Sequence, residues 1–179
     1  MLVCATVLTA CSGKSDEPKA DNASTSTSAT PTGGSSSTPT GPEETLPDLT
    51  AAQVVAAFAG QKYQCSTDEA YETCSKGTTS VQVLLGKQPR PAVLSLQATG
   101  VAAEAAAALT EFAPQALELA HVNPRGQIVD WVKQHASKPS GQTTAGNWTV
   151  EYSTEVDSDQ PGVILTLTDK LCKADCGAE

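Results

Sequence analysis

The sequence predicts an α+β domain in which an antiparallel sheet, built from two hairpins, packs against three or four helices after a disordered tether. Three observations predict it. Apolar and polar residues alternate in two pairs of segments, 79–86 with 92–98 and 148–152 with 163–167, which is the period of half-buried strands. Apolar residues recur at helical spacing between 51 and 59, from 101 onward, and again after Pro124. Residues 12–45 hold eight Ser, seven Thr, four Pro and four Gly, with alanine as their only apolar residue. Such a segment cannot offset the entropy of ordering.

Thr50-Ala51-Ala52-Gln53 has the pattern of a capping box, in which the threonine side chain and the glutamine three residues on satisfy each other's backbone amides. The helix it opens is expected to run to about Ala59, with Val54, Val55 and Phe58 toward the core and Gly60 beyond its end. Residues 62–76 mix Tyr63, Cys65, Tyr71 and Cys74 with acids and turn formers, consistent with a short strand or hairpin held by a disulfide. Val81, Val83 and Leu85, then Leu94 and Leu96, mark the first alternating pair, and Lys87-Gln88-Pro89-Arg90-Pro91 forms the loop between them.

Residues 101–113 are alanine-rich and strongly helix-forming, with Val101, Ala105, Leu109 and Phe112 on one face. Pro114 is expected to break or kink this helix, and Leu117 and Leu119 continue a second piece toward His121. Asn123-Pro124 places a capping residue before a proline at the first position of a further helix, whose one side carries Ile128, Trp131, Val132 and His135, with Gly141 beyond its end. Trp148, Val150 and Tyr152 share one strand, and Val163, Leu165 and Leu167 the next. A short amphipathic helix thus precedes a hairpin twice.

The 179 residues carry 20 acidic and 11 basic side chains, a formal charge of -9. Without a basic patch or stripe, nucleic acid is not expected as a partner, and no run of about 18 apolar residues offers a transmembrane helix. Near the N-terminus, Leu8-Thr9-Ala10-Cys11 lies behind Leu2, Val3, Ala5 and Val7 and ahead of the polar Ser12-Gly13-Lys14-Ser15. This tetrad resembles the lipobox of bacterial membrane lipoproteins, and the Ala/Gly/Thr-rich composition with its long tether resembles those of high-GC actinobacteria. The resemblance implies cleavage before Cys11, acylation of its thiol, and attachment to the cell membrane on the extracytoplasmic side. Residues 1–10 are then the remnant of a signal peptide, residues 11–45 the lipidated cysteine with its tether, and residues 46–179 the folded domain. Because only ten residues precede Cys11 and none is Lys or Arg, the signal is expected to extend upstream of Met1. A flexible coil of this length has a reach on the order of 30 Å.

Four cysteines remain for the domain, Cys65, Cys74, Cys172 and Cys176. Export to an oxidising compartment makes two disulfides the expectation, with three pairings open; short separation favours Cys65 with Cys74 and Cys172 with Cys176. A zinc site is the competing reading, but Cys-x8-Cys and Cys-x3-Cys depart from the usual ligand spacing.

Chemistry-bearing residues are few. Glu155-Val156-Asp157-Ser158-Asp159 alternates acids as calcium loops do, yet the later glycine and glutamate of such a loop are missing; a solvated acidic turn is expected. His121 and His135 are the only histidines, and any imidazole catalysis must use one of them. His135 is expected to pack beside Trp131, and His121 to sit at a helix C-terminus. Glu104, Glu111 and Glu118 recur every seven residues, the spacing of a solvated helix face. Trp148 and Tyr152 are expected in the core, with a ligand-facing sheet surface as the other reading. No catalytic residue, metal or cofactor is expected. The leading expectation is a lipid-anchored, non-catalytic domain that binds an envelope protein or small ligand; an envelope hydrolase using a histidine, or a structural envelope or stress factor, are the alternatives.

Overall fold

The computed structural model describes residues 44–154, 161–174 and Cys176. Cys11, the tether up to residue 43 and the acids at 155–159 lie outside the described residues.

The chain runs α1 (Ala51–Gly60), β1 (Gln64–Asp68), β2 (Tyr71–Lys76), β3 (Thr79–Leu84), β4 (Val93–Thr99), α2 (Ala102–Leu119), α3 (Arg125–His135), β5 (Ser140–Ala145), β6 (Trp148–Ser153) and β7 (Gly162–Asp169). Seven strands form one sheet in the order β1-β2-β3-β4-β7-β6-β5, and every neighbouring pair is antiparallel. The class is α+β, as expected. Instead of two hairpins the sheet is a four-stranded meander joined to a three-stranded one. A short helix does precede each meander.

Local chemistry sets the register. The β1–β2, β2–β3 and β5–β6 connections are two-residue turns whose first residue, Glu69, Gly77 or Gly146, takes a positive φ of 52°, 62° or 56°. A positive φ at that position suits the right-handed twist of the strands it joins. With period two thus fixed, Val81, Val83, Leu94, Leu96, Trp148, Val150, Tyr152, Val163, Leu165 and Leu167 all fall on one face and are buried. The helices cover that face. α1 lies over β1–β3, α2 over β4 and β7, and α3 over β5 and β6. Phe58 of α1 meets Tyr63 edge-on at 5.2 Å between ring centroids, and Tyr63 stacks on Phe112 of α2, so one aromatic row ties two helices to the sheet. At the central β4–β7 ladder a side chain on Gly162 would come within 2.5 Å of the Ala98 carbonyl, and only glycine fits there.

The capping box of α1 forms as expected: Gln53 N–H donates to the Thr50 hydroxyl and the Thr50 N–H donates to Gln53 Oε1 at 2.9 Å. Three expectations are corrected, and one strand is added. Gly60 closes α1 from within, and Gln61 is the cap. α2 passes through Pro114 unbroken. Pro114 is exposed, while Phe112, Ala113, Ala116 and Leu117 on either side of it are buried; packing outweighs the one helical bond that proline removes. α3 starts at Arg125 with Pro124 as its cap, after a cis Asn123–Pro124 peptide. The Asn123 side chain is engaged elsewhere: its Nδ2 donates to the Leu46 carbonyl at 2.8 Å, and its Oδ1 accepts from the Leu46 N–H at 3.2 Å. Residues 140–145, where the sequence marks no strand, form β5. The reason is legible afterwards, since an edge strand with only Ala145 buried shows no apolar alternation.

The Asn123 pair fastens the segment leading into α1 against the α2–α3 turn. His121, at a φ of 53°, adds a bond from Nδ1 to the Pro47 carbonyl at 2.7 Å. Below the same end of the sheet, Arg90 pairs with Asp169, comes within 3.9 Å of Asp48, and lies 4.8 Å over the Trp148 ring. Gln88 donates to the Ala174 carbonyl at 2.8 Å. The β3–β4 loop thereby holds both the start of the domain and its C-terminal tail.

Candidate binding surface

Alternation that buries one face of the sheet leaves the other without a helix among the described residues, and its chemistry is largely polar apart from Tyr71, Leu84, Val93 and Ile164. Thr73, Gln82, Ser95, Thr166, Glu151 and Gln142 are register partners in one row across six strands. Ser75, Ser80, Gln97, Ile164, Ser153 and Ser140 form the next row. Hydroxyls and amides dominate; on strands β2 to β7 the one carboxylate of this face is Glu151, whose Oε1 accepts from Gln142 Nε2 at 2.8 Å. Ser95 and Thr166 hydroxyls lie 3.4 Å apart. Toward β5 the surface sinks into a shallow depression of about 470 Å³ lined by Ser140, Gln142, Glu151, Ser153, Ile164 and Thr166. Neutral donors and acceptors on a rigid sheet can match a polypeptide backbone or a polar ligand; they offer no acid–base pair.

Comparison with protein-family models, with curated proteins and with solved structures gave no match. The surface is therefore read from its own geometry.

The outer margin of this surface is β5. Thr154 N–H donates to the Pro139 carbonyl at 2.8 Å, making that pair a bonded one, and bonded and non-bonded pairs alternate along an antiparallel ladder. Ser140, Gln142 and Thr144 consequently point their N–H and C=O groups away from β6, out of the sheet. On the helix-covered side of the same margin, Trp131 and His135 of α3 stack at 4.3 Å between ring centroids. Both are half-buried. They press on the backbone of Gly141, where a Cβ would meet His135 Cδ2 at 2.9 Å and Trp131 Cζ2 at 3.2 Å.

The residues singled out from sequence fall as follows. Cys65 pairs with Cys74 across β1 and β2, and Cys172 with Cys176 in the tail. Among the described residues no group of three or more His, Cys, Asp and Glu could hold a metal ion. His121 and His135 stand at opposite ends of the helix that separates them in sequence, and each turns Nδ1 to a backbone carbonyl, that of Pro47 and that of Trp131 at 2.9 Å. A carbonyl only accepts, so the Nδ1 proton is committed in both. His135 Nε2 lies 3.3 Å from Lys138 Nζ. Glu104, Glu111 and Glu118 are exposed along the outside of α2. Trp148 and Tyr152 are buried beneath the helices, where burial pushes the Tyr152 hydroxyl pKa upward; the ligand-facing reading of that pair is corrected, because their face of the sheet is the covered one. A second concavity, about 640 Å³ between the start of α2 and the α3–β5 connection, is lined mainly by alanines such as Ala102, Ala103, Ala106 and Ala107. No helix of the described residues is long and apolar enough to cross a membrane.

Sequence reasoning missed the surface because its residues are what solvated strands carry anyway. The signal that could have found it is the run of Ser, Thr and Gln at alternate positions 73, 75, 80, 82, 95 and 97.

Proposed function

We propose that this protein is a lipid-anchored component of a bacterial cell envelope whose α+β domain is displayed outside the cytoplasmic membrane and acts as a non-catalytic binding module. The address is supported by the lipobox-like Leu8-Thr9-Ala10-Cys11 together with the pairing of all four later cysteines into disulfides, which belongs to an oxidising compartment. The observation that carries the binding role is the helix-free, nearly uncharged face of the sheet with its outward-turned margin.

The address is tested by the intact mass of the membrane-fraction protein, with and without Cys11→Ala, after thiol alkylation in the absence of reductant. The expected mass begins at an acylated Cys11 and shows no alkylation at the four domain cysteines, while the variant is lost from the membrane. An unprocessed, unacylated chain with four reactive thiols would remove the anchor and the compartment together.

A further inference from the structure

We propose that the outer edge of β5, which no other described strand covers, is a strand-addition site for an extended segment of another polypeptide, one that alternates an apolar side chain with a neutral or basic one. Edge strands present unpaired backbone groups, and folded proteins ordinarily blunt them with charge, proline or a bulge. β5, Ser-Gly-Gln-Thr-Thr-Ala, has none of these within it, although Lys138-Pro139 precede it. The opposite edge differs: β1 is cross-linked to β2 through Cys65 and Cys74 and ends in Asp68 followed by Glu69.

Two features beside β5 define the occupant. A strand added at Ser140, Gln142 and Thr144 would turn alternate side chains to opposite faces. Those on the helix side would lie over the half-buried Trp131–His135 stack, an aromatic ledge that suits an apolar residue. Those on the open side would lie beside Gln142 and Glu151, where a carboxylate favours a neutral or basic residue. Main-chain bonds would supply affinity and the two faces selectivity, as in other strand-addition sites. A second copy of this chain fits less well. Pairing confined to two six-residue strands spans only about 20 Å and falls short of the roughly 1,000 Å² expected of a stable interface, and each copy carries a formal charge of -9.

The inference rests on the binding reading above but not on the lipid anchor, which the mass experiment decides separately. The test uses the full chain and an acetylated, amidated decapeptide alternating valine and lysine, titrated at physiological salt. Two further peptides of identical charge are N-methylated on all the valines or on all the lysines. Saturable binding is expected, lost at least tenfold with one methylation pattern and retained with the other, because only one set of N–H groups faces β5. Gln142→Pro deletes an outward donor without removing a β5–β6 bond, and Trp131→Ala removes the ledge; each is expected to weaken the parent peptide at least tenfold. Absence of saturable binding, or equal behaviour of both methylated peptides, would overturn the inference. If Gln142→Pro proves misfolded, the methylated pair on the natural chain and Trp131→Ala still decide. Binding unaffected by Gln142→Pro would leave a binding module but remove this edge, and concentration-dependent dimerisation abolished by Gln142→Pro would replace the peptide with a second copy.

Discussion

Replacing Asp169 with asparagine is expected to cost roughly 3–5 kcal/mol, because it leaves the Arg90 guanidinium buried without its counter-charge. Both side chains are almost fully buried, Arg90 to 10 % and Asp169 to 6 % of their free exposure, so solvent screens the pair little. Burial alone would raise the Asp169 carboxyl, but the Arg90 guanidinium and the Leu171 amide, donating at 2.8 Å, together hold it below the ordinary carboxylate range. A carboxyl depressed on folding stabilises the native state above its unfolded pKa of about 4, and that contribution disappears as pH falls through the lower folded value. Denaturant unfolding of the natural chain and Asp169→Asn should therefore differ most at neutral pH and converge in acid. A gap that stays constant from pH 7 to pH 2 would mean that the carboxylate is not what stabilises this end of the sheet. The cluster matters beyond one pair, since Arg90 also covers Trp148, whose indole N–H has no hydrogen-bond partner among the described residues.

The second large effect is expected at β1. Cys65 and Cys74 are direct register partners on the first hairpin, and Cys74 is fully buried. Converting both to alanine should lower stability by roughly 2–5 kcal/mol, through freedom regained by the unfolded chain and the packing lost around Cys74. β1 is an edge strand with one ladder partner, so amide exchange should accelerate there first and reach β4 and β7 last. Unchanged exchange across β1 would show that α1 and Tyr63 alone hold the strand. The Cys172–Cys176 bridge closes a shorter loop in a tail without a strand, and its removal should leave the sheet intact.

Much of this architecture was legible from residue order. Thr50 and Gln53 announced α1; the alternation at Val81, Val83, Leu94, Leu96, Val163, Leu165 and Leu167 announced the three central strands; and short separations announced both disulfides. What escaped has one physical origin. Local rules describe a segment by itself, whereas β5 exists because β6 offers it a ladder, and α2 survives Pro114 because Phe112 and Leu117 are anchored on the sheet. Asn123 looked like a helix cap because its partner, Leu46, lies far away in sequence. The candidate surface was hidden more deeply, since solvation and recognition use the same serines, threonines and glutamines. Only register shows that Thr73, Gln82, Ser95, Thr166, Glu151 and Gln142 stand in one line.

The strand order also carries a consequence in time. Five of the six ladders join strands that follow one another in the chain, while the sixth, β4 with β7, spans both helices and two further strands. Each meander can zip from its own tight turns, so the entropy of closing a long loop is concentrated in a single encounter, where Leu96 meets Leu165. That encounter is expected to set the folding rate. In stopped-flow refolding, Leu165→Ala should slow folding; an effect confined to the unfolding rate would place the slow step within a meander.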